Sequence, residues 1–99
     1  MPEYPAPPTV TDVEDQFSDR HRPMLLAAIG ADFASEALAD ALVWLDAQGL
    51  RHGLDVDLAP EPTGVVADDN RTAIRLRILR QAVLKRAEYE AWSRTEREA

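Results

Sequence analysis

The chain has 99 residues, no cysteine, 18 acidic and 11 basic side chains, and a formal net charge of −7. Its length fits one domain. The missing thiols exclude a disulfide-stapled module, a thiolate zinc site and a cysteine nucleophile. An acidic surface excludes wholesale nonspecific binding of nucleic-acid phosphate. No apolar run approaches the roughly 18 residues of a membrane span. No charged-then-apolar start marks a signal peptide, so a cytoplasmic protein is expected.

Residues 1–10 carry Pro2, Pro5, Pro7 and Pro8. Proline fixes φ and removes a donor, so this segment reads as an extended arm. It is either a disordered terminus or an arm laid across a neighbouring subunit, with Tyr4 as its anchor. A helical domain is expected over 11–93. Thr11 and Glu14 have the spacing of a capping box, which opens a short helix ending near Ser18. A polar link through Pro23 leads to a second short helix over 24–29, with Gly30 as its stop. Asp32 then caps a longer amphipathic helix on which Phe33, Ala37, Ala41 and Leu45 recur every fourth residue. Gly49 reads as its end.

Residues 50–67 form a long loop. Within it Leu54, Val56 and Leu58 alternate with Asp55 and Asp57, the period of a short extended segment or hairpin arm. Asp68, Asp69 and Asn70 are three candidate caps for a closing helix that meets no glycine or proline before Ser93. Residues 94–99 read as a polar tail. The fold class expected is all-α: a small bundle of short N-terminal helices, one long C-terminal helix and a long loop before it.

The closing helix carries two apolar stripes at 100° per residue. Leu76, Leu79, Val83, Ala87 and Ala91 make one. Ile74, Ile78, Ala82, Tyr89 and Trp92 make the other, on roughly the opposite side. Either the short helices wrap around and bury both, or a neighbouring subunit covers the second. Charge is also uneven. Residues 1–70 hold 14 acids and 3 bases, whereas residues 71–99 hold 8 bases and 4 acids. The arginines of the closing helix can therefore pair with the acidic body, within one subunit or between two.

No residue constellation points to catalysis. His21 and His52 stand in no metal-ligand spacing, and His52 with Asp55 and Asp57 lacks a fourth ligand. None of the serines lies in a nucleophile elbow, and no phosphate-cradling glycine loop is present. Neither an enzyme nor a cofactor or metal site is expected. The arginines at 71, 75, 77 and 80 scatter around the helix with no interleaved aromatic, so they do not form a nucleic-acid face.

Three stretches together resemble the small head–tail adaptor, or head-completion, proteins of tailed bacteriophages. They are Val10-Thr11-Asp12-Val13-Glu14, Ala41-Leu42-Val43-Trp44-Leu45-Asp46 and Ala87-Glu88-Tyr89-Glu90, and the similar layout spans residues 10–92. The short central helices and proline-rich arm depart from many members. The resemblance implies a virion structural protein of the phage neck, assembled in the host cytoplasm as a homo-oligomeric ring, usually of twelve. Such a ring joins the portal protein to the next neck or tail protein and extends the DNA channel, past which DNA moves without specific binding. By position, residues 86–99 would dock on the portal and residues 50–66 would reach into the channel or toward the next ring.

The subunit or portal contacts expected on this reading are Tyr4, Ile74, Ile78, Tyr89, Trp92, Arg94 and Arg97. The channel-facing acidic loop would be Asp55, Asp57 and Glu61, with Asp68 and Asp69 beside it; acidic walls repel a duplex and let it slide. The alternative is a small acidic interaction module, such as an antitoxin, inhibitor or accessory subunit, that binds a basic protein partner.

Overall fold

A computed structural model describes residues 3–98, with side chains through Glu96. Met1, Pro2 and Ala99 of the expected arm and tail lie outside the described residues. Every regular element among those described is a helix: α1 (Val10–Asp15), α2 (His21–Ile29), α3 (Phe33–His52) and α4 (Val66–Glu98). The fold is a small all-α bundle built on an antiparallel α3–α4 hairpin. Direction follows from the cross-links. Arg94, near the end of α4, reaches Glu36 and Asp40 in the first half of α3, while Arg86 lies over Trp44. The helices α1 and α2 pack on this hairpin, giving a slab of 50 × 29 × 15 Å whose long edge is α4.

Five expectations need correction. The first cap is Thr9, not Thr11. The Thr9 hydroxyl accepts from Asp12 N at 3.2 Å, and the Asp12 carboxylate accepts from Thr9 N at 2.9 Å. An aspartate serves at the third position as a glutamate would, so the box sits two residues earlier. Next, α2 begins at His21, because Ser18 accepts from His21 N at its hydroxyl and from Arg22 N at its carbonyl. Pro23 then falls in the first turn, where its missing N–H costs no intrahelical bond.

Gly49 does not end α3. The helix runs to His52, and Gly53 ends it with φ +64 and a left-handed backbone. Gly49 is instead buried where the following loop folds back on the helix. A Cβ there would stand 2.7 Å from a Val56 methyl. The alternation at 54–58, too, forms no strand. Asp55 and Asp57 each accept the backbone N–H two residues on, at 3.1 and 3.0 Å. Carboxylates that bond the local backbone offer it an alternative to a ladder. Val56 and Leu58 still turn inward, packed against the core.

The core is made by Val13, Phe17, Leu25, Phe33, Ala37, Ala41 and Leu45 against Val83, Ala87 and Ala91. Alanine at successive turns of α3 and α4 lets the two backbones approach closely. Phe17, Phe33, His21 and Trp92 close one end edge to face, with ring centroids 5.3–5.9 Å apart. The long helix also outlasts its expected end at Ser93, so residues 94–98 are its last turns and no separate tail begins there.

Candidate functional site

Asp69 organises the start of α4. Its side chain is buried, with only 2% of the residue exposed. It accepts from Thr63 N at 2.9 Å, the Thr63 hydroxyl at 3.0 Å and Gly64 N at 3.2 Å. The Tyr4 hydroxyl donates to it at 2.9 Å across 65 positions of sequence. Asp69 therefore lines no channel and does not cap its own helix. The Val65 carbonyl opens α4 by accepting Asp69 N, and the Asp69 carboxylate reaches back to hold the loop and the arm. These donors, the Thr63 backbone N–H foremost, hold its pKa below the usual carboxylate value. Burial and the bond to Asp69 push the Tyr4 phenol up.

Tyr4 is thus committed to its own chain. The arm continues along α4, where Arg80 donates to the Ala6 carbonyl at 3.2 Å and Pro8 is buried. Sequence reasoning saw Asp69 as a cap and Tyr4 as an anchor, but nothing in either residue type indicated that they would meet.

The two charge halves meet inside the chain. Arg80 pairs with Asp12 at 2.8 Å and Arg75 with Asp55 at 3.4 Å, while Arg94 spans Glu36 and Asp40. Three arginines of α4 therefore fasten three separate parts of the acidic body. The Thr9 N–H, with Arg80 nearby, depresses the Asp12 pKa. Arg94, expected at an intersubunit or portal contact, is engaged intramolecularly. The side chain of Arg97 lies outside the described residues.

The two stripes of α4 have different fates. Of the first stripe, Leu76, Val83, Ala87 and Ala91 are buried and Leu79 is half-buried against the core. On the other, Ile74, Ile78 and Tyr89 remain 55%, 62% and 57% exposed. The short helices therefore do not wrap around both. Trp92 leaves its expected stripe-mates and packs, half-buried, against the core, on Phe17 and on the exposed His21. Arg86 lies between the Trp44 and Tyr89 rings, 5.4 and 4.6 Å from their centroids, and also pairs with Glu90. A polar hollow of about 500 Å³ beside it is lined by Arg86, Tyr89, Glu90, Ser93 and Glu96.

The loop residues Asp55, Asp57 and Glu61 are exposed, and only Asp55 is ion-paired among the described residues. Among the described residues, no three His, Asp or Glu side chains converge as a metal would require. No helix among them is long and apolar enough to cross a membrane. Comparison with protein-family models, with curated proteins and with solved structures found no match to this chain.

Proposed function

We propose that this chain is a structural adaptor of a tailed-phage neck. It assembles into a homo-oligomeric ring that joins the portal to the next neck or tail protein and extends the DNA channel. The observation that carries the reading is the exposed stripe of Ile74, Ile78 and Tyr89 on a helix whose opposite face is already buried. Contiguous exposed apolar surface marks a protein contact. The layout resemblance supplies the neck setting. The exposed acidic loop through Asp55, Asp57 and Glu61 supplies a surface that duplex DNA would slide past without adhering.

The antitoxin-like alternative draws less support. Asp12, Glu36, Asp40 and Asp55 are each paired with an arginine of the same chain, which leaves less free acid for a basic partner. Native mass measurement with and without a portal ring tests the proposal. A stoichiometric ring bound to the portal is expected. A chain that remains monomeric in the presence of portal would overturn it, and a tight 1:1 complex with a basic toxin or nuclease would replace it.

A further inference from the structure

Two exposed seams remain on the folded chain, and they differ in charge. On α4, Arg71, Ile74, Ile78, Gln81 and Lys85 are all exposed and follow one another at alternating steps of three and four residues. On α3 the same stepping runs through Glu36, Ala39, Val43, Asp46 and Leu50, again all exposed. This stepping holds a strip of side chains along one side of a helix, as in the seam of a coiled coil. Val43 and Leu50 are 68% and 89% exposed, the latter the most exposed of the large apolar side chains.

Each seam lies opposite its helix's buried face, which is Ala37, Ala41 and Leu45 on α3 and Val83, Ala87 and Ala91 on α4. Both buried faces turn toward the shared core, so the seams point away from it on different sides of the slab. Among the described residues, the side chains of Arg71, Lys85 and Asp46 make no hydrogen bond or ion pair within the chain.

The charges choose between pairings. Two α4 seams facing each other would bring Arg71 and Lys85 against their own copies. Two α3 seams would set Glu36 and Asp46 against their own copies when parallel, and against Leu50 and Ala39 when antiparallel. An α4 seam on an α3 seam sets apolar against apolar and brings Arg71 and Lys85 to an acidic side on which Asp46 carries no partner and Glu36 is shared with Arg94 of its own chain; like-charge juxtaposition is what excludes wrong pairings. We propose that the α4 seam of one copy packs on the α3 seam of the next, head to tail. This rests on the ring reading above and names the surfaces it would use. A contact between two different patches repeats from copy to copy and closes when the rotation per subunit divides a full turn.

The cysteine-free sequence permits a direct test. Single variants I74C and I78C are mixed with a mass-tagged V43C or L50C chain and oxidised, across a concentration series. A disulfide forms only where Cα atoms come within about 7 Å, so the product reports proximity. Single variants cannot cross-link within one molecule. Crosses between an α4 variant and an α3 variant are expected to exceed, several-fold, the product of either with E61C, an exposed loop control. Self-linked α4 products in excess, or cross-products no greater than the control, would overturn the head-to-tail assignment. If the unaltered chain nevertheless assembles on the portal, the ring reading survives and only the seams are misassigned. If it does not assemble there, the ring reading itself falls.

Discussion

The two ends of α4 are held by opposite chemistries. At its start a buried carboxylate collects four donors, from the Thr63 and Gly64 backbones, the Thr63 hydroxyl and the Tyr4 phenol. Toward its other end Trp92 is held by the ring edges of Phe17 and His21, with Phe33 behind. Hydrogen bonds to one carboxylate depend on its ionisation, whereas the packing of Phe17 on Phe33 and Trp92 does not. One helix is therefore secured by a carboxylate clasp at its start and by ring packing toward its end. The clasp fixes the arm and the loop, segments with little apolar surface of their own. The aromatic end fixes the bundle.

The largest effect should break the aromatic end. W92A is expected to cost about 2–3 kcal/mol, toward the low end for removal of a large ring because Trp92 is half-buried, read as a lower urea midpoint for the whole chain. A purely interfacial Trp92 would leave the midpoint unchanged. D69A comes next and should act locally. Thr63, Gly64 and Tyr4 lose their acceptor, so amide exchange should rise over residues 3–8 and 60–66 while the aromatic near-ultraviolet signal persists.

The same contrast should appear on acidification. Asp69 and Asp12 have depressed pKa values in the fold, so their stabilisation is complete above the unfolded carboxylate value near 4 and is lost as pH falls through the folded values. Exchange should therefore accelerate at the arm and loop below about pH 4, ahead of loss of the aromatic signal. Simultaneous loss of both would erase the distinction between the two ends.

G49A probes the loop that lies beside the clasp. The added methyl meets Val56 at 2.7 Å. Overpacking typically costs about 1–3 kcal/mol, against about 1 kcal/mol gained in helix propensity. A small net loss is expected, and V56A in the same chain should restore it, a coupling that a double-mutant cycle would read. The smallest effect is expected from Y4F, which removes one of the four donors to Asp69. The arm should exchange faster while the loop at 63–64 stays protected.

Much of this fold was legible in the sequence because apolar spacing reports burial directly. Ala37, Ala41 and Leu45 on α3, and Val83, Ala87 and Ala91 on α4, face the core as their spacing requires. Local backbone chemistry was less legible. A period of two at 54–58 reads as a strand until the short aspartates claim the backbone N–H groups a ladder would need. Gly49 looks like a helix stop, yet it is there because Val56 leaves no room for a Cβ.

The candidate site divided in the same way. The exposed Ile74, Ile78 and Tyr89 could be inferred from a helix with more apolar surface than one core needs. The roles of Tyr4, Asp69, Trp92 and Arg94 could not, since each is set by a partner more than 50 positions away or by an element folding back upon it. The α3 seam was hidden because Leu50 was expected in the loop beyond Gly49 and Val43 lies within an otherwise ordinary amphipathic helix.

The thinness of the slab has a consequence in surface area. The folded chain exposes 6523 Å², whereas a typical monomer of 11.0 kDa would expose about 5,600 Å². A body only 15 Å thick presents both of its broad sides to water. The surplus, about 900 Å², is of the order that one partner contributes to a standard protein interface, about 800 Å². The surplus thus matches one of the two contacts that a subunit in a closed head-to-tail ring would make.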